Sequence, residues 1–243
     1  IKWGNPGVIV TNNDPADFTE LGPLFDVILT DVPCSGEGMF RKDEVAVQEW
    51  SIENVDTCWQ RQRRILRDIW PCLKTGGLLI YSTCTYNREE NEDNVAWIAQ
   101  ELGAEILPLE TQPDWHITGN LTGTKFPVYR FLPHKTTGEG LFMALLRKIA
   151  DEPAVSVRTK TGGKASKKGK GGKVVALQVP KEMKAWVQGA GDYVFEVNDS
   201  EAMAFPATYK DTYDLLKSQL RILHAGISLG ELKGKDWQPS HAL

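Results

Sequence analysis

The chain has 243 residues, 41% of them hydrophobic and 25% charged, with a formal net charge of −4. That composition is ordinary for a globular protein and long enough for one large domain, or a medium one and a small one. No apolar run approaches the roughly 18–20 residues that span a bilayer, and the net charge speaks against a nucleic-acid partner. The average hides a segregation, however. Residues 158–173 hold one Arg and six Lys and no acid, so this segment is either a cationic arm for phosphates or a solvated linker.

In chain order, Val8–Val10 reads as a short β-branched strand running into the polar TNND. Phe25–Leu29 is a second buried strand, ending at Asp31. Residues 53–73 place Val55, Trp59, Ile65, Leu66, Ile69 and Leu73 at helical spacing, with Gly76-Gly77 as the stop. LLIYS (78–82) is a third strand and ends at Thr83-Cys84-Thr85. Asn87 with Glu90 three residues later forms a capping-box pattern, which predicts a helix from about Asn87. Its apolar face is Val95, Ile98, Ala99 and Leu102. AEILPLE (104–110) is a further strand. FPVYRFLP (126–133) and GLFMALLRK (140–148) are two strands joined by a turn.

Strands alternating with helices predict a Rossmann-like, doubly wound parallel α/β sheet with a hairpin at its end. Ligands of such sheets sit beyond the carboxyl ends of the strands. Three polar clusters, Asn12–Asp14, Asp31–Gly38 and Thr83–Asn87, all follow strands and are expected to converge there. Residues 150–173 read as a flexible Lys/Gly-rich linker. Residues 174–243, with short strands, Gly turns and a helix near 211–220, read as a small β-rich domain.

Four cysteines, Cys34, Cys58, Cys72 and Cys84, form no CxxC pair and have no His-rich partner cluster, so no metal site is expected. With no secretory pattern, reduced thiols and a cytoplasmic location follow. Cys58 and Cys72 lie on the predicted helix among apolar neighbours and read as small buried hydrophobes. Cys84, just before a predicted helix start, gains from the local positive potential as a thiolate. The acidic run REENED (88–93) reads as a helix start and a solvated face, without chemistry.

Three stretches carry a family resemblance. TDVPCSGEGMFRKD (30–43), LKTGGLLIYSTCTYNREENEDNV (73–95) and PHKTTGEGLFMALLRK (133–148) together resemble the Sun/nucleolar-protein family of RNA cytosine-5 methyltransferases. The resemblance is to the RsmF-like branch that acts on small-subunit rRNA and covers roughly residues 1–148. HAGISLGELKGKDWQPSHAL (224–243) is similar to the PUA-like RNA-binding module of that branch. The resemblance thus implies a catalytic methyltransferase domain at 1–149 and a PUA-like domain at 174–243.

The chemistry it implies needs two thiols. Carbon 5 of cytosine is a poor nucleophile until a thiolate adds to carbon 6 and makes the ring enamine-like. S-adenosyl-L-methionine supplies the methyl group, a base removes the carbon-5 proton and the thiol is eliminated. The base must leave its stack to be reached. On its own, the Pro33-Cys34 loop resembles the nucleophile loop of DNA cytosine-5 methyltransferases. In the RNA family the nucleophile is the cysteine of the TCT motif, here Cys84, and Cys34 assists product release. The resemblance implies that Asp31 faces cofactor and target base and that Asp14 contacts the cofactor's adenine or amino group; Pro33 is expected to shape the loop against the substrate base, and Arg41 to touch RNA phosphate.

The family's Ala-x-Pro-Gly-Gly-Lys cofactor loop, its active-site lysine and its acidic ribose-binding residue have no counterpart in the sequence. With Ile1 in place of a starting Met, this implies the C-terminal part of a longer enzyme, one that alone binds S-adenosylmethionine poorly. Alternatives to an rRNA enzyme are a tRNA cytosine-5 methyltransferase and a non-catalytic RNA-binding ribosome-assembly factor. A thiol-redox or cysteine-hydrolase reading ranks last, because His116, His134, His224 and His241 lie outside the strand-end motifs.

Overall fold

A computed structural model describes residues 5–149, 178–198 and 200–240. The predicted linker 150–173 lies outside the described residues, and so does His241. In chain order the elements are β1 (Ile9–Thr11), β2 (Phe25–Asp31), α1 (Glu44–Glu49), α2 (Ile52–Ile69), β3 (Leu73–Thr83), α3 (Glu92–Glu101), β4 (Ala104–Leu107), β5 (Tyr129–Phe131) and β6 (Leu141–Lys148). They continue with α4 (Lys181–Lys184), β7 (Tyr193–Asn198), β8 (Glu201–Pro206), α5 (Lys210–Gln219), β9 (Ile222–Ala225), β10 (Ile227–Lys233) and β11 (Asp236–Pro239). The chain divides into two units, Pro15–Val157, and Ile1–Asp14 together with Arg158–Leu243.

The unit Pro15–Val157 is built on a five-stranded sheet, β2-β3-β6-β4, with β5 also pairing β6. β2 and β3 are parallel, but β6 runs antiparallel to β3, β4 and β5. The sheet is therefore mixed, not the wholly parallel sheet expected. The predicted hairpin forms from β5 and β6, yet β6 is inserted between β3 and β4. Its LFMALL run explains the position: Phe142, Ala144 and Leu146 are fully buried, and a strand so apolar is best placed with a neighbour on each side. The core gathers Leu66, Leu73, Leu79, Tyr81, Val95 and Ile98 against those three.

Two boundaries differ from the sequence reading. The long helix ends at Ile69, not at the glycines, because Pro71 has no N–H to continue it. Gly76-Gly77 lies inside β3 instead. Gly76 takes φ +81°, and the register with β2 slips between Phe25–Leu73 and Val27–Leu78. The glycine pair thus makes a bulge, a use of left-handed glycine that a helix stop resembles in sequence. The second helix begins at Glu92, not Asn87. Asn87 and Glu90 do bond reciprocally, but in the turn that precedes the helix.

In the other unit, β11-β10-β8-β7 form an antiparallel sheet and β1 pairs β9. Its cores are Val179, Met183, Ala202, Ala204 and Leu229, and Phe205 with Tyr213 and Ala225. Strand β1 is thus not part of the sheet that carries the cysteine loops. Its β-branched backbone is satisfied by β9, with Ile9 opposite Ala225. Among the described residues no helix is long and apolar enough to cross a membrane.

Candidate active site

β2 ends at Asp31 and β3 at Thr83. The register sets Asp31 opposite Ser82, so the loops that follow leave the same edge side by side. They bring Cys34 Sγ within 2.8 Å of Cys84 Sγ, and both thiols are free. Gly38 permits this approach. Its N–H donates to the Cys84 carbonyl over 2.8 Å, and a Cβ at Gly38 would lie 2.3 Å from that oxygen.

The thiol pair shares its acidity unequally. A hydrogen bond from Cys34 pulls Cys84 down from 9.0 to about 7, against burial and the negative charges of Asp31 and Glu90. The same hydrogen bond, followed by burial, pushes Cys34 up. Around neutral pH the first proton leaves Cys84 and the second stays on Cys34. Acidity at Cys84 therefore comes from a neighbouring thiol. The expected helix N-terminus is not its source, since α3 starts eight residues later and the helix potential fades within a turn.

Two buried carboxylates tie the loops together. Glu37 Oε2, from the first loop, accepts the Tyr86 and Asn87 N–H groups of the second at 2.5 and 2.9 Å. Its Oε1 accepts Trp50 Nε1 at 3.0 Å. Burial pushes Glu37 up, but hydrogen bonds from Thr85, Asn87 and the Tyr86 N–H outweigh it and hold the carboxyl below 4.5. Glu90, from the second loop, accepts the Ser35 N–H of the first at 3.1 and 3.3 Å. It also accepts Gln62 Nε2 at 2.6 Å and Asn87 Nδ2 at 2.7 Å.

Gln62 reaches this point from α2, and its second amide hydrogen goes to the Pro33 carbonyl at 2.9 Å. Its Oε1 accepts Asn94 Nδ2 at 2.7 Å and sits 3.0 Å from the Tyr81 hydroxyl. Behind them Arg130 forms a buried ion pair with Glu92 and donates to the Tyr86 carbonyl at 3.0 Å. Glu90 and Glu92 are thus fully buried, which corrects the reading of REENED as a solvated face; only Arg88 and Glu89 of that run are exposed. Three signals in the sequence mark this layer. Gln62 interrupts the apolar stripe Val55–Leu66–Ile69, Glu90 stands three residues after Asn87, and Arg130 is a charge inside an apolar strand.

Among the residues singled out from sequence, Cys34, Cys84 and Asp31 come together, with the charge of Asp31 acting on Cys84. Pro33 is exposed at the loop crest. Arg41 is exposed beyond the first loop and lines a groove of about 390 Å³ with His134, Lys135 and Thr137. Asp14 follows β1 in the other unit, so the sheet unites two of the three polar clusters, not three. Cys58 and Cys72 stand apart. Burial raises both, Cys72 to about 11, and Cys72 donates to the Phe18 carbonyl at 2.8 Å. Among the described residues no group of three or more His, Cys, Asp or Glu is arranged to hold a metal ion.

The chain is 30% identical to ribosomal RNA small subunit methyltransferase F of Vibrio cholerae serotype O1 (strain M66-2) over 226 residues, 88% of this chain and 45% of that protein. It is 32% identical to the protein of that name from Aliivibrio fischeri (strain ATCC 700601 / ES114) over 246 residues, 98% of this chain and 50% of the relative. It spans about half the length of these curated relatives. A crystal structure of NSun6 from Pyrococcus horikoshii with SFG superposes at TM-score 0.49 and 30% identity, covering 58% of this chain and 34% of that one. A sequence model of one family, described as 16S rRNA methyltransferase RsmB/F, matches residues 3–147. That span holds both cysteine loops and the sheet that positions them, and by it the chain belongs to the 16S rRNA methyltransferase RsmB/F family.

Proposed function

We propose that this chain forms the thiol-bearing part of an S-adenosyl-L-methionine-dependent cytosine-5 methyltransferase of small-subunit rRNA. The observation that carries the reading is the pair of free thiols 2.8 Å apart on two adjacent strand-end loops. Cys84, the more acidic sulfur, adds to carbon 6 of a flipped-out cytosine and pushes the ring electrons onto carbon 5. S-adenosylmethionine, when bound, supplies the methyl cation equivalent that carbon 5 takes up. Once a base removes the carbon-5 proton, the carbon–sulfur bond breaks and Cys84 leaves as thiolate. Cys34, which holds its proton at neutral pH, sits where its S–H donates a hydrogen bond to that departing thiolate and stabilises it as a leaving group.

Asp31 suits the cofactor. Its carboxylate is exposed at the carboxyl end of an edge strand and acts on Cys84, a place for a cationic group beside the target base. We propose that the other cofactor contacts come from the half of the relatives that this chain does not span. β2 is an edge strand, and the face that carries Val27 and Leu29, 51% and 66% exposed, is uncovered, which supports further elements packing there. Pro33 is proposed to pack on the base and Arg41 to meet phosphate. The 174–243 region, with its antiparallel sheet, is proposed as the PUA-like RNA-binding domain.

Transfer of labelled methyl groups to rRNA by the full-length protein tests the reading. Cys84→Ser is expected to abolish transfer. Cys34→Ser is expected to stop after at most one transfer per protein. Undiminished turnover in Cys84→Ser would refute Cys84 as the attacking thiol, and no transfer by the wild-type protein would leave a non-catalytic RNA-binding role.

A further inference from the structure

We propose that Glu37 and Glu90 are positioning residues: each carboxylate grips backbone N–H groups of the opposite cysteine loop, and together they hold Cys34 Sγ in hydrogen-bonding reach of Cys84 Sγ. The arrangement is reciprocal. Glu37 belongs to the Cys34 loop and holds Tyr86 and Asn87, just past Cys84. Glu90 belongs to the Cys84 loop and holds Ser35, next to Cys34. Asn87 bridges the two, with Nδ2 3.1 Å from Glu37 Oε1 and 2.7 Å from Glu90 Oε1. Every partner of both carboxylates is a donor, so only a group with four acceptor sites suits either position. Apart from these carboxylates and the thiol contact itself, the Gly38–Cys84 backbone bond, the Ser35–Thr85 hydroxyl contact and the Asn87 Nδ2–Ser35 Oγ bond join the loops.

Glutamine in either place keeps one acceptor and turns an N–H₂ group toward donors. At position 37 the backbone donors cannot reorient. At position 90 Gln62 cannot flip without losing its contacts to Asn94 and Tyr81. The loops then part and Cys84 loses the thiol that stabilises its anion.

The sign of the effect separates this role from plain electrostatics. The ionisable groups that act on Cys84 are Cys34, Asp31 and Glu90, and Tyr86 is its neighbour, itself facing Glu37, Arg41 and Glu139. The Glu90 charge disfavours a Cys84 thiolate, so neutralising it by charge alone would make Cys84 more acidic. Loss of the clamp makes Cys84 less acidic.

The inference rests on Cys84 as the attacking thiol, and its test needs neither RNA nor methyl donor, so the two readings fail separately. In the full-length protein, alkylation by iodoacetamide is followed against pH and assigned to Cys84 by peptide mass spectrometry. Glu37→Gln and Glu90→Gln are each expected to move the midpoint up from about 7 toward 9.0. Alkylation at pH 7 should slow on the order of tenfold, since the fewer thiolates are individually more nucleophilic. Cys34→Ala should give the same shift, and adding either Gln substitution to it should give no more. An absent or downward shift in variants that keep the wild-type thermal midpoint would overturn the proposal, as would full additivity with Cys34→Ala. Should Glu90→Gln not fold, Glu37→Gln and Glu37→Asp decide.

Discussion

At the scale of single residues, two motif cysteines are legible in the sequence and the groups that control them are not. Cys34 and Cys84 stand out because each follows a strand end. Glu37 looks like a surface acid and Glu90 like a helix-capping residue, because nothing local says that loops 50 residues apart in sequence fold onto them. Their hydrogen bonds have a measurable consequence at Glu37, whose carboxyl they hold below 4.5 against the opposing effect of burial. A carboxyl with a depressed folded value contributes stability above its unfolded value and loses it as pH falls through the folded one. The stability gap between wild type and Glu37→Gln, from urea unfolding of the full-length protein, is therefore expected to be open at pH 7 and to close as pH falls below 4.5. A gap that stays constant with pH would mean the carboxylate is not bonded as described.

At the scale of elements, hydrophobic periodicity reveals α2, β3 and the β5–β6 hairpin, because each buries a regular face; β2 forms where expected but is not the buried strand read from its apolar run, since Val27 and Leu29 are exposed. The insertion of β6 is not legible, since strand order depends on non-local pairing. The bulge at Gly76 is likewise ambiguous, because glycine serves helix ends and bulges alike. Two substitutions test how these elements hold the loops. Gly38→Ala puts a methyl group against the Cys84 carbonyl and is expected to lower methyl transfer at least tenfold, with a fall in thermal midpoint of only a few degrees. Arg130→Met leaves Glu92 buried without its partner, and urea unfolding should register a loss of about 3–5 kcal/mol. An Arg130→Met protein as stable as wild type would show that the pair does not hold the Tyr86 turn.

At the scale of the whole molecule, the sequence motifs point to an RNA methyltransferase family before any fold is drawn, and the match to the 16S rRNA methyltransferase RsmB/F family over residues 3–147 agrees. The allocation of residues 1–14 is where sequence order misleads: β1 is close to β2 in sequence, yet its hydrogen bonds go to β9. Chain proximity favours neighbouring strands, but a ladder forms wherever a register is available. Deleting residues 158–173 is expected to weaken rRNA binding and flatten its dependence on salt, as loss of phosphate contacts does. Unchanged salt dependence would leave the segment a linker.

The central claim is that Cys84 attacks the base and Cys34 releases it. The most direct measurement is to incubate full-length Cys34→Ser protein with rRNA and methyl donor, isolate the covalent complex, digest it and map the nucleotide to a peptide. The nucleotide is expected on the peptide that carries Cys84. A stable complex formed instead by Cys84→Ser, with the nucleotide on Cys34, would contradict it.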